Sequence, residues 1–438
     1  MSTAPTPAQS LAAAQAALDA NDPRGAFGAL RPLLQYPGDV ADTALWAQAI
    51  GLFAPIAKAL AGDELASLAA VAARQADDAQ AIFNFGYQLI EVGLAGVAAT
   101  ALARANRLKP GNPHIVEELA VALETAMHNH AVCDLLRANN QLVESRFILA
   151  YLLAFNAVMI GDIEEARRTL PLIRRLATPQ EGWGATRIEG FLARADLAKK
   201  SSPLDETDLR GWHFVLTGGV LLHLSPHGFD EGMRGRYAFV QDSPATCLEG
   251  IRRVELVLGA LDRRPERVLA LGDRASAILA HATASVLGLP IEPWPSELPG
   301  LIVAYDLDSI ARPDLEALKA HRPGQILWGH ASCWTQTQPI AGDLVTFLYQ
   351  HNRDPWGRRL QVDGATGEAR ESEPEPGTPA EIAARMGSVT LAPDALADGP
   401  ALAAFARAVA PRAAAVNTEG ARERQFPGSP VQSSRFYD

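Results

Sequence analysis

The stretch Arg267-Val-Leu-Ala-Leu-Gly-Asp-Arg-Ala-Ser276 opens a pattern that runs to His330. It continues through an Ala-rich helical segment, then Leu289-Pro-Ile-Glu-Pro-Trp294. Next come Gly300-Leu-Ile-Val-Ala-Tyr-Asp-Leu-Asp-Ser309, a short helical pattern, and Gln325-Ile-Leu-Trp-Gly-His330. Short apolar runs alternating with helical periodicity predict a parallel sheet in an α/β layer. Gly300–Tyr305, the most apolar run, is expected to be a central strand. Such sheets place a ligand crevice at the carboxyl ends of their strands. The residues at those ends are Gly272, Asp273, Arg274, Asp306, Asp308 and His330.

Each of these residues has a chemistry suited to such a crevice. Gly272 permits a tight turn, and the backbone amides of Asp273 to Ser276 with Arg274 suit an anion at a helix start. Asp273 equally suits an N-cap. Asp306 and Asp308 alternate along an extended segment, so both can face one side. They suit the hydroxyls of a ribose or a hydrated Mg²⁺, while Asp308 or Ser309 suits a turn cap. His330 suits an acid or base, or a hydrogen-bonded core histidine beside Trp328 and Trp334. Candidate catalytic residues are therefore His330, Asp306 and Asp308. Candidate ligand contacts are Gly272, Asp273, Arg274, Ser276 and Arg236, the last from the Gly-rich loop Ser225–Arg236, read as a lid or a surface connection. No residue set has the spacing of a metal centre.

Upstream, from about Gln9 to Lys200, the periodicity is helical almost throughout. Ile82, Phe85, Gly86, Leu89, Gly93, Ala98, Leu102, Ala105 and Pro110 form one pattern of large and small residues. A shift of 34 residues finds Val116, Leu119, Ala120 and Leu136, and a second finds Ala150, Leu153, Ala154, Ala157, Gly161, Ala166 and Leu170. An earlier match lies between Ala13 and Leu33. Over residues 10–180 the chain resembles tetratricopeptide-repeat proteins. The resemblance implies a solenoid of stacked helical hairpins that binds a protein or peptide on its concave face.

Ser201–Thr207 is a polar linker, and five of the seven tryptophans follow it, between Trp212 and Trp356. Trp212–Thr217 and Val220–Leu224, joined by Gly218-Gly219, predict a β-hairpin. Ser243-Pro244 predicts the start of a helix, and Pro339–Gln350 a further helix. The Glu- and Pro-rich stretch Thr366–Thr378 predicts a linker, and Val416–Asp438 a mobile or surface-draped end. Between 265 and 330 the order of elements, with acids after an apolar strand, resembles the core of phosphoribosyltransferases. That family has two adjacent acids on the ribose, followed by a Thr/Gly-rich phosphate loop. Here Tyr305 precedes Asp306, and Ser309-Ile-Ala-Arg-Pro313 stands in place of the loop.

Composition limits the function. The net charge is −11, which argues against a general nucleic-acid or anionic-membrane binder. Three scattered cysteines, Cys133, Cys247 and Cys333, fit a reducing compartment. Neither a signal peptide nor an apolar run of membrane-spanning length is expected, and the protein is read as cytoplasmic. The expected fold class is multi-domain α plus α/β: a repeat solenoid over 1–200, a linker over 201–210, a Rossmann-like domain with its hairpin over 211–360, and a loosely structured tail with short helices over 361–438. The expected function is a protein-interaction module whose crevice binds a nucleotide or sugar phosphate, with Mg²⁺ as the cofactor its acids suit. The alternative is a glycosyl- or phosphoribosyl-type transferase acting on a peptide held by the solenoid.

Overall fold

The computed structural model describes residues 5–38, 42–227, 232–358, 360–362, 367, 369–417 and 419–433. The centre of the Gly-rich loop (228–231), parts of the Glu/Pro stretch (366 and 368) and the last five residues lie outside the described residues. The chain divides into two compact units, Met1–Ile188 and Glu189–Asp438. The division falls earlier than the polar stretch 201–207.

The first unit is all helical. Its helices are α1 (Pro7–Asp19), α2 (Pro23–Leu34), α3 (Thr43–Leu60), α4 (Asp63–Arg74), α5 (Ala79–Glu91) and α6 (Ala95–Leu108). They continue as α7 (Pro113–Thr125), α8 (Asn129–Ala138), the short α9 (Asn140–Val143), α10 (Phe147–Met159) and α11 (Ile163–Leu176), and α12 (Gly182–Ala198) runs across the division. Helices α5, α7 and α10 begin at residues 79, 113 and 147, while α6, α8 and α11 begin at 95, 129 and 163. Both helices of three successive hairpins thus recur 34 residues apart. The residue in the left-handed region at each hairpin turn keeps the same offset: Gly93 (φ 80°), Met127 (63°) and Gly161 (84°).

The small residues lie where helices approach. A methyl group on Gly86 would meet Leu102 Cγ at 2.7 Å, and Ala98, Ala120, Ala154 and Ala166 are fully buried. Helix α3 has the length and mean hydropathy (1.3) to cross a membrane. Its Trp46, Ile50 and Phe53 are instead buried in the hairpin array, and Trp46 Nε1 donates to Ala72 O at 3.2 Å.

The second unit is built on a parallel sheet. Its elements are α13 (Leu209–Thr217), β1 (Val220–Leu221), β2 (Tyr237–Gln241), α14 (Pro244–Ala260), β3 (Val268–Ala270), α15 (Arg274–Leu287), β4 (Ile291–Pro293) and β5 (Gly300–Asp306). They are followed by α16 (Arg312–Leu318), β6 (Gln325–Cys333) and β7 (Leu344–Arg353). The order across the sheet is β1-β7-β6-β5-β3-β4, and β2 pairs in parallel with the second half of β7. Strand β3 leads outward to β4, and β5 returns on its other side. The direction of winding therefore reverses between β3 and β5, the place where such sheets open a crevice. β5 is central and, up to Tyr305, buried.

Two local expectations fail for identifiable reasons. Trp212–Thr217 is helix α13 and not the arm of a hairpin. Asp208 accepts from Gly211 N at 2.9 Å and starts the helix, and Gly218 at φ 76° ends it. The paired glycines are a helix stop, and the β-branched and aromatic run between yields to these caps. Residues 339–350 are not a helix either. Ile340, Leu344, Val345 and Leu348 have helical spacing, but the short apolar run Leu344–Tyr349 is the buried strand β7, an ambiguity that periodicity alone does not resolve.

The C-terminal region is also not loose. After the separate antiparallel ribbon of β8 (Leu360–Val362) and β9 (Ala369–Glu371), α17 (Pro379–Arg385) packs on α15 and α18 (Gly399–Val409) on α14. Phe405 lies edge-on to Phe214 at 6.1 Å. Beyond them Arg422, Gln425 and Val431 are buried. Arg422 donates from Nε and Nη2 to both oxygens of Asp343 (3.1 and 2.9 Å) and from Nη1 to the carbonyls of Leu318 (2.8 Å) and Ala320 (3.1 Å).

Two predictions arise from these features. Gly93→Ala forces a Cβ into the left-handed region with no neighbour to clash against, so it should cost the helical unit about 1–2 kcal/mol of backbone strain, read by urea unfolding. Arg422→Leu leaves a buried carboxylate and should destabilise the α/β unit by about 3–5 kcal/mol, with the double variant Arg422→Leu/Asp343→Asn less affected. Fluorescence of the buried Trp46 during denaturation reads the first variant, and that of the buried Trp212, Trp328 and Trp356 the second.

Candidate functional site

Two linked polar clusters lie toward the carboxyl ends of β2, β5, β6 and β7. The outer one gathers on Tyr349. Its hydroxyl lies 2.6 Å from Asp306 Oδ2 and 3.2 Å from Asp308 Oδ2. Asp306 is the last residue of β5, and its Oδ1 also accepts the Asp308 amide at 3.0 Å, which turns the chain so that both carboxylates face the phenol. Tyr349 is buried, Asp306 is half-buried and Asp308 is exposed. Burial, with the charge of Asp308, pushes the Asp306 carboxyl up to about 6 despite the bond from Tyr349. Burial and the two carboxylates hold the Tyr349 phenol far above its ordinary range. One phenolic proton thus stands between two carboxylates.

The inner cluster centres on Asp242, just beyond β2. Its Oδ2 accepts from the Tyr305 hydroxyl at 2.7 Å and from His330 Nε2 at 3.1 Å, with the Cys247 thiol at 3.5 Å, while Oδ1 accepts from the Ser243 amide at 2.7 Å. Burial pushes the Asp242 carboxyl up, but these donors together outweigh it and hold the group below the usual carboxylate range. The clusters are joined through Asn352, whose Nδ2 donates to Tyr305 Oη at 3.3 Å and whose side chain also bonds Asp306.

Asp242, Cys247 and His330 bring their donor atoms within 4.8 Å of one another. Asp242 Oδ2 is the common acceptor of this group, and burial with the Asp242 charge drives the Cys247 thiol well above its ordinary range.

The candidate residues separate into four groups. Asp306 and Asp308 meet, as their alternation suggested. His330 does not end its strand: β6 continues to Cys333. The His330 ring is fully buried between Phe347 (5.0 Å) and Trp328 (5.9 Å). Its Nδ1 lies where a side chain on Gly250 would intrude at 2.7 Å. It can reach the outer cluster only through Asp242, Tyr305 and Asn352.

The turn after β3 has structural work. Asp273 caps α15 by accepting from Ser276 N at 2.9 Å, and Ser276 Oγ accepts from Tyr305 N at 2.9 Å, pinning α15 to β5. Gly272 opens that turn. Arg274 donates to the carbonyls of Trp356 and Glu375, which is where its expected anion would have sat. Arg236 makes its contacts elsewhere: it is buried, donates from Nη2 to Val431 O at 3.0 Å and lies over the Trp334 ring. Residues 232–236 are therefore packed and not a free lid, with Arg234 donating to Glu206 O at 2.6 Å.

Asp242, Tyr305, Tyr349 and Asn352 were not among the candidates. Asp242 stands one residue before a helix cap, and Tyr349 and Asn352 fall in a segment whose periodicity reads as helix. Only the pairing of β5, β6 and β7 brings them to the acids. No known family model and no curated protein matches the sequence.

The raised Asp306 carboxyl fixes the sign of a pH effect. Its folded pKa exceeds the unfolded value, so the native state holds the extra proton and this group's contribution to stability falls as pH rises from about 4 to about 6. Asp306→Asn should therefore stabilise the α/β unit at pH 7–8 by up to about 3 kcal/mol relative to the parent, with the difference vanishing below about pH 4. Urea unfolding of both proteins across that range checks it, and a constant difference would exclude the assignment.

Proposed function

We propose that this chain is an interaction protein whose helical unit binds a peptide or protein and whose α/β unit binds a small hydroxyl-rich ligand, such as the sugar of a nucleotide or sugar phosphate, at Asp306 and Asp308. The observation that carries the ligand reading is the convergence of the two carboxylates on the single Tyr349 hydroxyl at a strand end. That arrangement has acceptor capacity to spare, and adjacent sugar hydroxyls supply the donors. A hydrated Mg²⁺ would meet the same need through water.

The 34-residue recurrence of both helices and of the turn residues supports a tetratricopeptide-type solenoid. Arrays of that kind present a concave surface for an extended partner. An apolar hollow of about 190 Å³ within the helical unit, among Phe27, Phe53, Ile56, Leu60, Val92 and Leu94, would seat a partner's hydrophobic side chain.

Transferase chemistry has less support. It needs a pyrophosphate held beside the acids, and Arg274, the cation placed for that, is engaged by two backbone carbonyls. Isothermal calorimetry of the full chain with ribose, ribose 5-phosphate and a nucleoside monophosphate, each with and without Mg²⁺, tests the proposal. All three should give heat, and Asp308→Ala should weaken binding about 10- to 150-fold, the loss of one charge-assisted hydrogen bond. Silence with all three, or undiminished binding by Asp308→Ala, would overturn the ligand reading.

A further inference from the structure

In the three hairpins that share the 34-residue register, the first helices differ in charge from the second. Helices α5, α7 and α10 carry no Lys or Arg and four glutamates, Glu91, Glu117, Glu118 and Glu124. Helices α6, α8 and α11 carry seven arginines against three acids. The side of the array formed by the first helices is therefore acidic. On α5, Phe83, Tyr87 and Glu91 are exposed or part-exposed, and they follow one another four residues apart along one face. Their counterparts 34 residues on, Glu117, Val121 and Thr125, are likewise exposed or part-exposed on α7. The repeat thus sets the two stripes on the same side, and α7 packs between α5 and α10.

This stripe combines an aromatic pair with uncompensated charge. The Phe83 and Tyr87 rings lie 6.3 Å apart at 31°, and Tyr87 is 43% exposed. Glu117 pairs with Arg146 at 2.8 Å. Among the described residues Glu91 and Glu118 have no ion-pair partner. Burial, then the charges of Glu117 and Glu91, push the Glu118 carboxyl above its ordinary range, with His114 opposing them.

The third copy of the stripe already has an occupant. On α10 the positions equivalent to Phe83 and Tyr87 are Tyr151 and Phe155, and both are buried. The start of α12 covers them. Arg187 donates from Nη1 to the Tyr151 hydroxyl at 3.0 Å and lies over the Phe155 ring at 5.2 Å, while Trp183 meets the Tyr151 ring edge-on at 4.7 Å. A guanidinium and an indole four residues apart on one helix thus fit this aromatic pair.

We infer that the open stripe of α5 and α7 docks a basic segment of a partner protein, with an Arg over Phe83 and Tyr87 and further cations against Glu91 and Glu118. A cation is drawn to the negative face of an aromatic ring, and complementary charge selects the partner and speeds its approach. The inference rests on the reading of the helical unit as a peptide-binding array and names the chemistry of what it binds. It is independent of the strand-end acids.

Fluorescence anisotropy of the full chain with labelled alanine-based peptides tests it. Each is about 15 residues long, enough for a helix to form, with Trp and Arg four apart as on α12. Matched peptides carry Gln or Glu in place of Arg. The Arg peptide should bind, and more weakly as salt rises from about 20 to about 200 mM. Tyr87→Ala should weaken it about 2- to 30-fold. The double variant Glu91→Gln/Glu118→Gln should weaken it about 2- to 10-fold and flatten the salt dependence. Should a variant fail to fold, the comparison of the three peptides on the unaltered protein still decides. Equal binding of the Gln peptide, or undiminished binding by both variants, would overturn the inference and leave the helical unit a peptide binder of another kind. Silence with all three peptides would overturn both.

Discussion

The α/β unit depends on one buried carboxylate, Asp343. Its side chain takes two hydrogen bonds from Arg422 and a third from the Leu327 amide at 2.8 Å, while its backbone carbonyl accepts from Val220 N at 3.1 Å. One residue thus ties β6, β1 and the C-terminal segment to the start of β7. His321 Nδ1 lies 3.8 Å away, but burial lowers its pKa, which leaves Arg422 as the counter-charge. A buried pair of this kind contributes little net stability compared with an apolar substitute, yet it is costly to break. Its effect is to specify where the last part of the chain goes.

The same logic recurs at α14 and α18. Arg253 is buried and donates to Glu249 (2.8 Å), Asp398 (2.7 Å), Leu222 O (3.1 Å) and Ala395 O (2.8 Å). Arg210 reaches Asp398 from α13. The region after residue 379 is therefore held by arginine pairs whose members lie 79 to 188 residues apart in the chain. Where every donor has such a partner the structure is closed. Arg236, with a nitrogen to spare, is among the places where it is not.

What could be read from the sequence follows the range of the forces involved. The 34-residue register, the cap at Ser243-Pro244, Asp273 at the head of α15 and the burial of Gly300–Tyr305 are local patterns, and residue types display them directly. The meeting of Asp306 with Asp308 was legible because the two are neighbours on an extended segment. Tyr349, which joins them, was not, since Leu344–Tyr349 suits either a helix or a buried strand and only its pairing with β6 decides. Arg274 fitted an anion site by position, but its true partners, Trp356 O and Glu375 O, lie in a stretch whose composition reads as linker. The C-terminal segment likewise has few apolar residues, and Arg422 and Gln425 hold it by polar contacts that hydrophobic patterning does not register.

The arrangement of strands around β7 bears on how this protein meets copies of itself. An exposed sheet edge is a template on which another chain's backbone can pair. Here β7 is covered by two fragments, β1 of two residues and β2 of five, with the chain leaving the sheet between them. The opposite edge, β4, is three residues long and lies between Pro290 and Pro295. The Trp294 amide bonds inward to Ala270 O. Amides alternate in direction along a strand, so positions 291 and 293 face outward, and Pro293 has no donor, which leaves Ile291 as the outward amide of β4. Both flanks of a sheet whose interior strands are largely buried are thus poor seeds for cross-chain growth, which leaves the long central strands free to carry their apolar runs.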